Sequence, residues 1–398
     1  WRAMSAGQAP TEEIIKEGDQ LRLAQIKYRL SCPDDVVGPT EKATDKAEFL
    51  RIVAEHNNVH VYDAACQQLG WTPDEALRTR MLTEIETTLK EHDEKIADAK
   101  ENLGENEVRE AVLLRANFLC KIGDKTRALE ALSEAEKHPK ATTGQKMDIV
   151  FSTIRIGLFH HDLDLVQTNV EKAKKLIEEG GDWERRNRLK VYEAILSIAV
   201  RNFKTGATLL LDSIATFTAY ELFDYETFVS YAVVASVISL DRKTLKTRVI
   251  DAPEVLQVID KRPELKTFLN SIYDCNYKDF FHSLVDIFDQ LKRDRFFAPH
   301  ARYFLRTARV VAYLQFLESY KSVRLESMAQ RFGIGVEFLD RELGDYVSSG
   351  RLSCKIDKVN GIVESTRPDS KNSLYQQTIK QGDNLLNRLQ KLSRVITF

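Results

Sequence analysis

The chain has 398 residues, 43% hydrophobic and 30% charged, which is enough apolar material for two or three cored units and excludes wholesale disorder. Its 58 basic and 60 acidic residues are well mixed and leave a formal charge of −2, which excludes bulk attraction to a polyanion as the basis of function. Nine prolines and seventeen glycines interrupt the chain rarely, so long helices are favoured over a many-turned β fold.

The five cysteines (Cys32, Cys66, Cys120, Cys275 and Cys354) are odd in number, far apart and without a CxxC pair. They suit a reducing compartment, where each thiol is a small apolar filler. The first thirty residues carry charges without an apolar block, so no signal peptide is expected. The longest apolar run, near Tyr231 to Leu240, is about half of what a membrane crossing needs. The opening Trp1-Arg-Ala points to Met4 as a start, or to a start inside a longer product.

Residues 11 to 70 are helical in tendency, broken by Ser31-Cys-Pro33 and Val37-Gly-Pro39. A long helix over 73–103 follows: Thr72 suits a cap, Pro73 the first helical position, and Asp74 and Glu75 the positive end of the dipole. Leu77, Met81, Ile85, Leu89, Ile96, Ala99 and Leu103 form one stripe until Gly104. Such a rod is roughly 45 Å long and must lie on something. It completes an N-terminal helical region over 1–104.

From 105 to 318 one unit recurs: an apolar helix, a short polar turn, and a second amphipathic helix. Asp124, Asp162, Asn202, Asp241 and Asn276 mark the turns at spacings of 38, 40, 39 and 35. That period predicts stacked helical hairpins, since one hairpin cannot bury both its apolar faces. In the first repeat, Ala116, Gly123, Ala128 and Ala131 give a tetratricopeptide-like close approach. The expected fold class is mainly α, a TPR-like helical-hairpin solenoid followed by a winged helix and a C-terminal helix.

His300 to Ser319 reads as a helix, with Tyr303, Phe304, Ala308, Val311, Leu314 and Leu317 as its apolar positions. The winged-helix part is placed at 319–368. Val323 to Phe332 and Val336 to Val347 form a helix-turn-helix around Gly333 and Gly335, and Gly350 suits the helix stop. Leu352, Cys354 and Ile356 alternate with Ser353 and Lys355 as a half-buried strand does. Lys358 to Gly361 is the wing turn, Ile362-Val363 begins the return strand and Pro368 ends the sheet. Within 369–398, Thr378, Gly382, Leu385, Leu389, Leu392 and Ile396 are spaced four, three, four, three and four, with Leu386 beside them. That is a heptad seam, and a lone helix of this length needs a partner.

Reactive constellations are scarce. His56 and His60 are spaced as two ligands on one helix face, but no HExxH glutamate or third ligand accompanies them. Gly333-Ile-Gly335 lacks the third glycine and preceding strand of a dinucleotide loop, and no GxxxxGK[ST] or GxSxG occurs. The His160-His161 pair in a repeat turn reads as structural. No cofactor, metal or catalytic residue is expected. The second helix of the helix-turn-helix carries Glu337, Asp340, Glu342 and Asp345 against Arg341 alone, and about −3 of charge there would repel a duplex. The wing is the better contact surface, because an open sheet leaves an edge to be paired.

Several blocks carry a family likeness: Gly180-Gly-Asp-Trp-Glu-Arg-Arg-Asn-Arg-Leu-Lys190, Phe217-Thr-Ala-Tyr-Glu-Leu222, Phe297-Ala-Pro-His300, Gly335-Val-Glu-Phe338, Cys354-Lys-Ile-Asp-Lys-Val-Asn360 and Arg367-Pro-Asp-Ser-Lys-Asn372. With the layout of helical repeats, winged helix and terminal helix, residues 100 to 398 resemble the PCI family, scaffolds of the proteasome lid, the signalosome and an initiation-factor complex. The blocks point to the lid branch. The resemblance implies a non-catalytic scaffold, cytoplasmic and nuclear, in a complex whose zinc deubiquitinase site lies on another subunit.

The family joins winged helices through their small sheets and gathers terminal helices into one bundle. Carried onto this chain, the sheet contact falls on Arg351, Leu352, Cys354, Ile356 and Ile362 to Glu364, and the bundle contact on Leu385, Leu386, Leu389, Leu392 and Ile396. The implied partners are other PCI-type lid subunits and the lid deubiquitinase, with base ATPases in reach of the N-terminal helices, and neither nucleic acid nor membrane. The competing readings are a signalosome subunit of the same layout, a nucleic-acid-binding winged helix, and a hydrolase. The terminal seam could also fold back on its own winged helix. Trp183 is either an exposed contact or the start of a helix packed between repeats.

Overall fold

The computed structural model describes residues 19–102, 104–136, 142–180, 182–366 and 370–396. Leu103, Pro368 and the Trp1 to Pro10 stretch lie outside the described residues. Two compact units divide the chain, Trp1–Tyr273 with Ser283–Leu305, and Asp274–His282 with Arg306–Phe398.

The first unit begins with α1 (Asp19–Ser31), α2 (Pro39–His56) and α3 (Val59–Leu69). Pro39 occupies the first turn of α2, where its missing N–H is no loss, and left-handed Asn57 and Gly70 stop α2 and α3. The long helix α4 (Glu75–Asn102) starts two residues later than expected, because Asp74 rather than Thr72 caps it. Asp74 Oδ1 accepts from the Ala76 and Leu77 amides at 3.0 and 3.4 Å, which leaves Pro73 outside the helix. The α4 stripe serves two cores. Met81 and Ile85 pack with Phe49, Ile52 and Tyr62 of the N-terminal helices, whereas Ile96 packs with Val112, Ala116 and Ala131 of the first repeat.

Three hairpins follow: α5 (Glu105–Ile122) with α6 (Lys125–Glu136), α7 (Thr143–His160) with α8 (Leu163–Gly180), and α9 (Trp183–Ala199) with α10 (Phe203–Ser213). Their corners share one device. Gly123, His161 and Arg201 take positive φ, and the next residue caps the second helix through its side chain. Asp124 accepts from the Arg127 amide at 3.2 Å, Asp162 from Leu165 at 3.1 Å and Asn202 from Thr205 at 3.4 Å. Three of the five marker residues that reveal the period are therefore side-chain N-caps.

Gly123 is needed for a second reason. At φ 80° a Cβ there would sit 2.8 Å from Val61 Cγ2. Gly123→Ala is expected to cost about 2 kcal/mol through left-handed strain and that clash. A lowered urea midpoint followed by Trp71 fluorescence checks it, since Trp71 packs against the same N-terminal core.

The fourth unit departs from the pattern. After α11 (Tyr225–Ser239), Leu240 stays extended at φ −104°. The second helix is split into α12 (Arg242–Leu245), a π-helical turn (Lys246–Ile250), α13 (Pro253–Ile259) and α14 (Pro263–Tyr273). Pro253 and Pro263 start new helices because neither can continue an old one.

Buried polar networks lock these helices together. Glu221 is 3% exposed, accepts from the Tyr192 hydroxyl at 3.0 Å and lies 3.4 Å from Arg188 Nε. Two of the blocks singled out in the sequence, around Trp183 and around Tyr220, therefore meet in one ion pair. A third block supplies Phe297, fully buried against Phe203 and Tyr231. His300 of that block holds the Ala199 carbonyl at 2.7 Å. Arg295 N donates to Gln25 Oε1 at 3.1 Å, and Arg293 Nε donates to the Val36 carbonyl at 2.9 Å. These bonds tie the N-terminal helices to a segment some 260 residues away.

The division between units falls inside α15 (Tyr277–Arg293) and α16 (Ala301–Ser319). In the second unit Tyr313, Phe316 and Tyr277 surround Phe332, with ring centroids 4.7–5.4 Å apart. Leu314, expected on the buried face of α16, is exposed, and Tyr313 takes that place. The winged helix then runs β1 (Ser322–Arg324), α17 (Leu325–Phe332), α18 (Val336–Ser348), β2 (Cys354–Asp357) and β3 (Ile362–Ser365). Val323 and Arg324, expected in the first helix, are instead a strand, because Val323 pairs with Val363. The wing thus has three strands, antiparallel, in the order β1-β3-β2. Gly333 at φ 68° and Gly350 at φ 69° end the two helices as expected, while Gly335 at φ −69° needs no glycine freedom. The last helix, α19 (Ser370–Ile396), is 27 residues long.

Candidate protein-protein interface

The second unit carries the two surfaces on which the expected contacts fall. Along α19 every residue from 374 to 396 is exposed. Leu389 and Leu392 are 53% and 55% exposed, and Leu385, Leu386 and Ile396 more so. These five predicted residues lie together on one open helix rather than on a core. Exposed Leu374, Tyr375 and Ile379 extend the apolar surface toward the helix start. Tyr375 was missed in the sequence, although it precedes Thr378 by three and continues the heptad. The remaining described positions are largely charged or amide, so the apolar groups form a stripe.

The sheet residues behave differently. Leu352 and Cys354 are buried, Ile356 and Ile362 half-buried and Arg351 exposed. Cys354 Sγ is an apolar filler, and burial pushes its thiol above the ordinary range. The side chains of Leu352 and Cys354 are therefore spent on this chain's own core. The strand itself begins at Cys354, not Leu352. The strand order bears on the expected sheet contact at Ile362 to Glu364. β3 lies in the middle with a partner on each side, so its backbone is committed, and β1 and β2 form the edges. The turn after β2 is held by Asp357, whose carboxylate accepts from the Val359 and Asn360 amides at 3.0 and 3.3 Å. The Asn360 side-chain amide, which donates to Asp357 Oδ2 at 2.8 Å, together with those backbone bonds holds its carboxyl below the usual carboxylate range. Val359 is left almost fully exposed at the wing tip.

The charge expected on α18 is also corrected. Glu342 is buried and accepts from Tyr313 OH at 2.6 Å and Tyr346 OH at 2.7 Å, with Arg309 Nη1 at 2.8 Å. Burial and this carboxylate push both phenols well above their ordinary range. Asp340 is paired with Lys358 at 2.9 Å. Glu337 and Asp345 against Arg341 are what α18 leaves uncompensated, which repels a duplex less than the bare count implied.

His56 and His60 do not share a helix face, because left-handed Asn57 separates α2 from α3. His60 lies 3.7 Å from Asp124. Among the described residues no three His, Cys, Asp or Glu side chains are grouped to hold a metal ion, and no helix is long and apolar enough to cross a membrane. Trp183 starts α9 with Asp182 as its cap and is 63% exposed, so it is not packed between repeats.

Residues 74–248 match the family described as 26S proteasome subunit RPN7, residues 285–367 the PCI domain, and residues 375–396 the RPN7/PSMD6 C-terminal helix family. A protein of Arabidopsis thaliana described as 26S proteasome non-ATPase regulatory subunit 6 homolog is 52% identical over 383 residues, 96% of this chain and 98% of its own length. The chain belongs to the RPN7/PSMD6 family of 26S proteasome regulatory subunits. The Saccharomyces cerevisiae 26S proteasome regulatory subunit RPN7 is 40% identical over 328 residues, 81% of this chain and 76% of its own. COP9 signalosome complex subunit 1b of Drosophila melanogaster is far more distant, 22% identical over 389 residues, 95% of this chain and 71% of its own. The C-terminal helix match begins at Tyr375, where the apolar stripe also reaches back beyond Thr378.

Proposed function

We propose that this chain is a non-catalytic structural subunit of the proteasome lid that completes its own burial on sister subunits. The observation that carries the reading is α19, exposed at every position from 374 to 396 with an apolar heptad seam along it. A solitary helix with such a seam is marginal in water and gains by packing against other helices. Each leucine that passes from half-exposed to buried contributes about 1 kcal/mol or more, so five or six of them support a stable bundle. The competing reading, a tail folded onto its own winged helix, does not account for that exposure.

Edge strand β2 is the second contact, offered through its backbone from Cys354 to Asp357 to the sheet of a neighbouring winged helix. The partners in this reading are PCI-type lid subunits and the lid deubiquitinase, in the cytoplasm and nucleus, and the chain supports ubiquitin-dependent degradation without a reaction of its own. Affinity capture of the full chain from cells, followed by intact-complex mass spectrometry, is expected to return proteasome lid subunits. Recovery with signalosome subunits instead, or turnover of ubiquitin chains by the purified chain alone, would overturn the reading.

A further inference from the structure

A cavity in the first unit takes no part in the scaffold reading. It has a volume of about 420 Å3, and α1, α3, Gly123 of the α5–α6 corner, the α7–α8 corner and the 295–299 segment line it. Its walls bring together Lys27, His60, His160, His161 and Arg295, and no Asp or Glu is among its lining residues. Phe159, Val61 and Ala64 supply an apolar side.

The nearest carboxylates are engaged elsewhere. Asp162 accepts from Lys125 Nζ at 2.7 Å and caps α8, and Asp124 caps α6. Asp294 accepts from the Tyr231 hydroxyl and from the Phe296 and Phe297 amides. Among the described residues the Lys27 ammonium has neither an ion pair nor a hydrogen bond, and the His160 ring packs edge-to-face with Phe159. Arg295 donates from Nη2 to the Phe159 carbonyl at 2.7 Å, while its buried Nη1 has no acceptor. Asp294 acts on that guanidinium only at longer range.

The positive groups also feel one another. Burial and Arg295 pull the Lys27 amine below its ordinary value, and burial with Lys125, Arg295 and Lys27 does the same to His160. His60 has the Asp124 carboxylate 3.7 Å away and His160 feels that of Asp162, but Lys27 and Arg295 share one cavity with no carboxylate in its lining, which is unfavourable for the fold by itself. A ligand with two negative charges and several acceptor oxygens relieves that repulsion. A monocarboxylate leaves one cation uncompensated, whereas a phosphate monoester carries close to two charges at neutral pH and three acceptor oxygens.

We propose that this cavity is a phosphate-monoester site, with Lys27 and Arg295 as counter-charges, His160 and His161 as ring N–H donors, and the Phe159 side as the seat of the ester group. A small phosphorylated metabolite and a phosphorylated side chain on a neighbouring chain would both present that chemistry. Calorimetric titration of the full chain at neutral pH and low salt distinguishes them, with O-phospho-L-serine, a short phosphoserine peptide and acetate as probes. Both phosphate probes are expected to bind and acetate to bind at least about tenfold more weakly, as one lost charge-assisted contact implies. Tighter binding of the peptide points to a protein-borne phosphate, and tighter binding of the free amino acid to a metabolite. Lys27→Gln and His160→Gln are each expected to weaken phosphate binding about tenfold without lowering the melting temperature. Silence from both phosphate probes, acetate binding as well as they do, or undiminished binding by the folded Lys27→Gln chain would overturn the proposal.

Discussion

A chain carrying Leu389→Asp and Leu392→Asp is expected to fold, melt at the wild-type temperature and fail to enter its complex. Both side chains are more than half exposed in the isolated chain, so the substitutions remove little intramolecular packing. In a helical bundle the same positions face an apolar seam. Each replacement there forfeits about 1–2 kcal/mol of apolar burial and adds the several kcal/mol cost of a buried, unpaired carboxylate. Together they weaken assembly by at least about a thousandfold. Affinity capture of tagged wild type and variant, compared beside their thermal melts, reads both halves of the expectation. Leu339→Asp on α18 is the contrast: Leu339 is fully buried, so that chain should lose the fold of its winged helix as well. Normal incorporation of the double variant would show that the seam serves only its own chain.

The parts of this architecture that were legible in the sequence are those set by local chemistry. The repeat period surfaced through Asp124, Asp162 and Asn202 because a helix start demands an oxygen acceptor there, and few residue types supply one. The preceding corner residue was less visible. Gly123 announces a left-handed turn, but His161 and Arg201 take the same conformation without any glycine to mark it. The terminal seam was readable for the opposite reason: α19 makes its pattern alone, and no tertiary contact had to be guessed. Its extension through Tyr375 required only one more step of the same heptad.

Non-local facts were out of reach. Val323 reads as the start of a helix until Val363, forty residues away, pairs with it. The central place of β3, and with it the committed backbone at Ile362, depends on that third strand. The blocks around Trp183 and Tyr220 carry a family likeness, yet only the fold reveals that Arg188 of one neutralises Glu221 of the other. The cavity near His160 draws on α1, α3, α7 and the 295–299 segment, and no spacing in the chain brings those together.

Glu342 is the sharpest case of a charge whose meaning the fold reverses. On α18 it counts as one acid among four, but its carboxylate is the hub for Tyr313, Tyr346 and Arg309. Removing it by Glu342→Ala leaves a largely buried guanidinium and two buried hydroxyls without their acceptor, a change expected to destabilise the second unit by about 3–5 kcal/mol. Tyr346→Phe removes a single hydroxyl bond and is expected to cost only about 1 kcal/mol. Among the described residues both tryptophans, Trp71 and Trp183, lie in the first unit, so their fluorescence would pass over the loss. Amide hydrogen exchange of α17 and α18 follows it directly, with protection expected to fall far more for Glu342→Ala than for Tyr346→Phe. Equal protection in the two variants would return Glu342 to the surface acids. The winged helix would then owe its order to the aromatic cluster around Phe332 alone.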